Sequence, residues 1–258
     1  APASAPVLVV APTGREADRM LAELAFFAGP GEVLLPFPDR ETLPYDPFSP
    51  HPDIVSERLR TLAALPQLKR GLIVTTRAAV LDRLPPRQFI DAHAFELSTG
   101  ERVDLVRLRA RLAGAGYAHV TQVLTPGEFA VRGSVVDLYA AGTTQPFRLD
   151  LFDDQIESIR GFDPADERSA ERLESVRLLP AREFPTTPAA VAVFRSRWRE
   201  RFEGDPQASS VYRAVTQGLA PAGIEAWLPF FFEETATLED YLPPATVIVD
   251  TADLEHAL

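Results

Sequence analysis

The sequence predicts a mixed α/β fold in which two segments of the chain share a parallel sheet, with a smaller α+β domain inserted between them. Residues 1–91 alternate strand and helix patterns, which is typical of a parallel sheet. Residues 92–180 carry closely spaced strands after a single helix, which favours an antiparallel sheet. Residues 181–258 return to helices and end on an apolar strand. We therefore expect domain boundaries near residues 92 and 180.

The first part contains three apolar strand patterns separated by helices. The strands are predicted at residues 7–12, 32–37 and 71–76. Thr13 is of a type that caps helices, and the helix after it has an apolar face formed by Met20, Leu21, Leu24 and Phe27. A second helix is predicted from about Asp53, after a proline-rich loop. Its apolar stripe comprises Ile54, Val55, Leu59 and Leu62.

The middle part begins with a helix, "DLVRLRARLAGAGY", that ends near Gly114 and Gly116. Strands are predicted at residues 119–124, 128–139, 146–152 and 155–162. The Asp-Asp pair in "FDDQ" is interpreted as the turn between the last two of them.

The last part is predicted to form helices at residues 188–204 and 209–217. The apolar run "ATVIVDT" near the end predicts a further buried strand. If the first and last parts share one sheet, this strand is the one that returns to it.

Composition and motifs argue against several classes of function. The sequence has no cysteine and a net charge of −11, so it has no disulfide or thiolate metal site and is a poor candidate for bulk DNA binding. Lys69 is the only lysine, and it is followed by Arg70 rather than Ser or Thr, so the chain has no P-loop. The four histidines lack metal-ligand spacing. We expect no catalytic residues, no cofactor and no metal.

One arginine stands out within the apolar run "GEFAVRGSVVDLY". Arg132 is followed by Gly133, which we interpret as a bulge or a close backbone approach. In the next strand, "FRLDLF", Arg148 and Phe152 share the face opposite the apolar residues. An exposed phenylalanine beside arginines is typical of a protein contact surface.

A structural alternative explains the same residues without a partner. The arginines could form salt bridges within the sheet, to Asp137 or Asp150, and Phe152 could cap a small apolar cluster. The residues alone favour this alternative.

Four segments resemble the Mfd family of bacterial transcription-repair coupling factors, in the N-terminal region that is similar to the excinuclease subunit UvrB. They are "ETLPYDPFSPHPDIVSERLRTL", "GEFAVRGSVVDLY", "PFRLDLFDDQIESIRGFDP" and "PAGIEAWLPFFF". The resemblance implies a degenerate helicase-like domain in two pieces, 1a (residues 1–91) and 1b (residues 181–258), with domain 2 (residues 92–180) inserted. UvrB itself is the alternative within the family, but its tyrosine-rich DNA-gripping hairpin is absent here, because Tyr45 is the only tyrosine between residues 45 and 53.

The resemblance also implies a function. It points to a non-catalytic, ATPase-dead module of a cytoplasmic DNA translocase, which recruits UvrA and so links stalled RNA polymerase to nucleotide excision repair. Arg132, Arg148 and Phe152 match the residues that bind UvrA. In the family, domain 2 also contacts the C-terminal part of the full-length protein, and RNA polymerase and DNA bind other regions; no membrane contact is implied. The alternative function is a fragment of a UvrB-type excinuclease subunit or of a nucleotide-dependent DNA helicase.

Overall fold

Two sheets and a short two-stranded ladder organise the chain, whose computed structural model describes residues 5–29, 31–164 and 169–252. The strands of the described residues are β1 (Val7–Ala11), β2 (Leu34–Phe37), β3 (Leu72–Thr76), β4 (Phe95–Ser98), β5 (Ala118–His119), β6 (Glu128–Arg132), β7 (Val135–Tyr139), β8 (Phe147–Phe152), β9 (Gln155–Phe162), β10 (Ser169–Leu173), β11 (Ser175–Leu178) and β12 (Val247–Asp250). The α-helices are α1 (Gly14–Phe27), α2 (Pro52–Ala64), α3 (Arg77–Val80), α4 (Arg87–His93), α5 (Leu105–Gly114), α6 (Pro188–Arg201), α7 (Ser210–Thr216) and α8 (Leu238–Tyr241).

The first and last parts of the chain share a four-stranded parallel sheet in the order β12-β1-β3-β2. The register pairs Val7 with Val247 on one side and with Leu72 on the other. One face of the sheet packs on α1, and the opposite face packs in a large apolar core that includes Leu59 of α2 and Phe194 of α6. The predicted α/β class with a parallel sheet is confirmed.

Helix α1 begins as predicted but is not buried along its whole apolar face. Thr13 accepts a hydrogen bond from the Glu16 amide at 3.4 Å. Leu21 and Leu24 are partly buried against the sheet. Phe27, predicted to share that face, is exposed and is the last residue of the helix.

The strand predicted to be buried near the end of the chain is instead an edge strand. β12 pairs only with β1 within the sheet, and both Val247 and Ile248 are exposed. An apolar run marks a strand but does not distinguish a central position from an edge.

The middle part forms a six-stranded sheet in the order β10-β9-β8-β7-β6-β5, in which every pair except β5–β6 is antiparallel. Its buried face packs on α5 in a second core that includes Leu112, Val136 and Leu149. The strand predicted at residues 119–124 is largely wrong. The chain turns there because the Glu128 carboxylate accepts from the amides of Leu124 and Thr125, at 2.8 and 2.9 Å.

A single strand predicted over residues 128–139 is likewise wrong. Gly133 and Ser134 form a two-residue hairpin turn between β6 and β7, in which Arg132 pairs with Val135. Gly133 has a φ of 62°, the backbone conformation that glycine adopts most readily. An added Cβ would meet no atom within 4 Å, so Gly133 marks neither a bulge nor a close approach.

The ladder of β4 and β11 was missed by the sequence analysis. It pairs Leu97 with Val176 at the entry to and exit from the middle part. Both residues are buried in the second core.

A buried ionic cluster ties the chain that leaves the middle part to α2. The Arg58 Nε donates to Glu183 Oε1 at 2.8 Å, and Arg40 Nη2 donates to Glu183 Oε2 at 2.6 Å. Asp82 completes the cluster, 2.9 Å from Arg58 Nη2. Arg58 and Glu183 are both buried, so each depends on the other for compensation of its charge.

None of the helices in the described ranges has the length and apolar character needed to cross a bilayer.

Candidate protein-binding site

Two of the three residues predicted to bind a partner, Arg132 and Phe152, lie at one end of the six-stranded sheet, and Arg148 lies near the opposite end of β8. Arg132 ends β6, and Val135, directly across the hairpin from it, is paired with Asp150 of β8. Phe152 lies two residues beyond Asp150. The Leu151 amide donates to the Ser134 carbonyl at 2.8 Å, so the end of β8 adjoins the turn that follows Arg132. We call Arg132, Arg148 and Phe152 the arginine–phenylalanine patch.

Alternation along β8 separates its two faces as predicted. Phe147, Leu149 and Leu151 are buried in the second core. Arg148 and Asp150 point to the opposite face. Phe152 is 70% exposed. The expectation that Phe152 caps a small apolar cluster is therefore wrong.

The two arginines of the patch meet at one buried carboxylate. Arg148 lies directly opposite Asp137 in the register, with its Nε 2.6 Å from Oδ1 and its Nη2 2.9 Å from Oδ2. Arg132 pairs with the same carboxylate through its own Nη2. The Asp137 side chain is only 3% exposed, whereas those of Arg132 and Arg148 are 50% and 19% exposed. The salt bridge to Asp137 that the structural alternative required is present.

A second ion pair continues this face beside the patch. The Ser158 hydroxyl donates to Asp150 Oδ2 at 2.7 Å, and Arg160 pairs with the same oxygen. Burial opposes ionisation of Asp150, but these two partners outweigh it and lower the pKa of its carboxyl. Arg160 was not predicted as part of this surface. Arg160 is directly opposite Arg148 in the register, but a register shift in β9 breaks the alternation of "QIESIRGF" before Arg160, so alternation alone could not place it on this face.

The Arg148 side chain is held from two sides. Its guanidinium lies 5.0 Å from the centroid of the Phe162 ring, in addition to its bidentate contact with Asp137. A guanidinium fixed by a ring and a carboxylate has little conformational freedom left to lose when a partner binds. This face can therefore present a positive group with fixed geometry on the same strand as a large exposed ring.

The site shows no arrangement for metal binding. In the ranges that the structure describes, no three His, Asp or Glu side chains converge on a common point where an ion could sit.

Comparison with known proteins gives the class of this region. Residues 95–184 match the UvrB interaction domain family, and this range contains the whole arginine–phenylalanine patch. The middle part of the chain is thus similar to UvrB interaction domains.

The comparison with curated proteins extends over nearly the whole chain. It is 43% identical over 251 residues to the transcription-repair-coupling factor of Escherichia coli (strain K12), covering 97% of this chain and 22% of that protein. It is 42% identical over 246 residues to that of Haemophilus influenzae (94% and 21%), and 25% identical over 258 residues to that of Bacillus subtilis (95% and 22%). Together these matches identify the chain as a relative of transcription-repair-coupling factors. It spans about a fifth of the length of these proteins.

Proposed function

We propose that this chain is the UvrA-recruiting module of a transcription-repair coupling factor, which links stalled RNA polymerase to nucleotide excision repair. The observation that carries the proposal is the arginine–phenylalanine patch, which lies inside the UvrB interaction domain with Phe152 70% exposed. When a partner covers a large ring exposed at the end of a sheet, the removal of apolar surface from water lowers the free energy and favours binding.

The charges of the patch favour an acidic partner. Arg132 presents a half-exposed guanidinium on a chain that is acidic overall. Arg132 is the more exposed of the two arginines, and its contact with Asp137 occupies only one of its terminal nitrogens. Its remaining donors can bind a carboxylate of UvrA.

The module itself is proposed to be non-catalytic. Lys69, the only lysine, is exposed in the turn before β3 and does not lie at the N-terminus of a helix, where a phosphate-binding lysine is needed. ATP-driven DNA translocation then belongs to other parts of a full-length coupling factor, as do the contacts with RNA polymerase and DNA. A fragment of a UvrB-type excinuclease subunit or of a nucleotide-dependent helicase is not favoured, since the curated relatives are coupling factors.

The domain organisation is proposed as domain 1a over residues 1–91, domain 2 over residues 92–180 and domain 1b over residues 181–258. Pairing of β12 with β1 supports joining the first and last parts. The separate apolar core of the six-stranded sheet supports treating the middle part as its own domain. We further propose that domain 2 contacts the C-terminal part of the full-length protein when UvrA is absent, and that the protein acts in the cytoplasm.

Size-exclusion chromatography of the purified chain mixed with UvrA tests the proposal. We expect a complex that elutes ahead of both components at micromolar concentrations. Separate elution of the two proteins under these conditions would contradict the recruiting role.

A further inference from the structure

A cleft far along the chain from the arginine–phenylalanine patch lies between the proline-rich loop and the 3₁₀-helix Ile224–Phe231. It encloses about 660 Å³. Its walls are residues 39–48 of the loop, residues 78–83 at the end of α3, and residues 223–229. The proposed recruitment of UvrA assigns no role to this cleft.

The cleft is preformed, because the loop is anchored at both ends. At one end, the Ser49 hydroxyl donates to Glu225 Oε2 at 2.8 Å and accepts from the Gly223 amide at 3.1 Å. At the other end, the Asp39 carboxylate accepts from the Glu41 amide at 2.9 Å and from the Thr76 hydroxyl at 3.2 Å. A ligand that enters the cleft therefore pays little for ordering the loop.

The rim of the cleft exposes large apolar side chains to water. Leu43, Tyr45, Phe48 and Leu81 are all exposed. Tyr45 has a φ of 69°, which is unfavourable for a residue with a side chain and turns its ring onto Trp227, at 5.1 Å between centroids. Strained backbone that presents apolar groups around a cavity is typical of binding surfaces.

The lining of the cleft is acidic. Four of its side chains are carboxylates and two are guanidinium groups, and Arg40 is already held by Glu183 and Asp82. Glu225 has no cation within ion-pair distance among the described residues, and burial raises the pKa of its carboxyl even though the charge of Arg182 opposes this rise. A cation placed in the cleft would compensate this partly buried carboxylate.

We propose that this cleft binds an extended peptide segment of a partner protein, with aliphatic side chains on the apolar rim and a lysine or arginine at Glu225. The acidic lining excludes nucleic acids and nucleotides, because their phosphates would meet carboxylates. This inference does not depend on the recruitment of UvrA. It adds a second docking surface, formed by the first and last parts of the chain.

Titration of the isotope-labelled chain with short peptides tests the proposal. The probes are Ac-Leu-Arg-Leu-NH₂ and its charge-reversed match Ac-Leu-Glu-Leu-NH₂, followed by amide chemical shifts. We expect the arginine peptide to shift amides within residues 41–48 and 224–228. The glutamate peptide should bind about tenfold or more weakly, since a charge-assisted contact is replaced by a repulsive one.

Two variants and a control separate the charged contact at Glu225 from the apolar contact at the rim. Glu225→Gln keeps a hydrogen-bond acceptor for Ser49. It should weaken binding of the arginine peptide by about tenfold and should not weaken binding of the glutamate peptide. Leu81→Ser should weaken both peptides. Leu219→Ser is the matched control, because Leu219 is also exposed but does not line the cleft, and it should change neither affinity.

Three results would overturn the proposal. One is equal affinity for the two peptides. Another is a set of shifted amides outside the cleft. The third is concentration-dependent self-association that produces the same shifts without peptide, which would assign the cleft to a second copy of the chain.

Discussion

Asp137 gives the two arginines of the patch different roles. Arg148 is mostly buried and holds the carboxylate with two hydrogen bonds, whereas Arg132 is half exposed and reaches it from the end of β6. Ion pairing within the sheet and binding of a partner are therefore compatible. The salt bridges fix the guanidinium groups, and the exposed side of Arg132 remains accessible to a partner.

This difference predicts how single substitutions affect stability. Arg148→Ala leaves a buried carboxylate with one partner and should lower the free energy of unfolding by roughly 1–3 kcal/mol. Phe152→Ala removes an exposed ring and should change it by less than about 0.5 kcal/mol. Chemical denaturation of both variants measures the two values. Equal destabilisation would show that Phe152 is packed rather than exposed.

Glu183 predicts an acid dependence of stability. Its burial opposes ionisation, but Arg40 and Arg58 outweigh this and lower the pKa of its carboxyl to about 2, from an ordinary value of 4.5. A carboxyl with a depressed pKa in the folded state stabilises the fold above its unfolded pKa and loses this contribution as the pH falls. Unfolding free energy should therefore decrease between about pH 4.5 and pH 2.

The variant Glu183→Gln provides the control for this pH dependence. It should be less stable at pH 7 by roughly 3 kcal/mol, because two buried guanidinium groups lose their shared partner. It should also lose most of the acid dependence below pH 4.5. Asp82 contributes with the opposite sign, since burial raises the pKa of its carboxyl. An unchanged acid profile in the variant would contradict the assignment to Glu183.

At the scale of elements, two glycines with similar φ angles serve different purposes. Gly133 forms the β6–β7 turn with open space around it, whereas a Cβ on Gly223 would clash with the Asp46 carbonyl of the proline-rich loop. Gly133→Ala should cost about 1 kcal/mol, the strain of a positive φ alone. Gly223→Ala should cost roughly 2 kcal/mol more, because the loop must also move. Thermal unfolding compares the stability of the two variants, and equal midpoints would contradict the clash expected at Gly223.

The sequence predicted those elements whose signals are local. Thr13 and the residues around Asp53 carry helix-start signals, and the alternation in "FRLDLF" correctly separated buried from exposed side chains. The hairpin at Gly133 was missed, although Gly-Ser is one of the pairs that form two-residue turns. The edge position of β12 and the β4–β11 ladder depend on pairing between distant segments, which periodicity does not record.

The candidate site was only partly accessible to the same reasoning. Alternation placed Arg148 and Phe152 on one strand face, Arg132 stood out within an apolar run, and the resemblance to coupling factors supplied the partner. Both arginines reach the same buried carboxylate because of the register of β6, β7 and β8. Register across three strands is a tertiary property, so Asp137 could be suggested from the sequence only as one of two acidic candidates.

At the scale of the whole molecule, the buried cluster of Arg40, Arg58 and Glu183 links the first and last parts of the chain beside the first apolar core. Glu183 lies just after the middle part ends, and Arg58 lies in the middle of α2, so the cluster holds the chain at the exit from the middle part against the first part.

The absence of a P-loop lysine in this chain predicts that it does not bind ATP on its own. No lysine is placed to reach the phosphates, and a phosphate-binding loop needs one beside its glycine-rich turn. Isothermal titration calorimetry with ATP and Mg²⁺ should give no saturable heat. Binding at micromolar ATP would show that the module retains a nucleotide site.

The affinity for UvrA of the Arg132→Ala, Arg148→Ala and Phe152→Ala variants, read beside their unfolding free energies, tests the central claim most directly. We expect Arg132→Ala and Phe152→Ala to weaken binding by about 2 kcal/mol or more. Phe152→Ala should do so with the fold intact. Arg148→Ala should lose affinity beyond what its lower stability explains. Unchanged affinity in all three variants would mean that the patch serves only the sheet and that UvrA binds elsewhere.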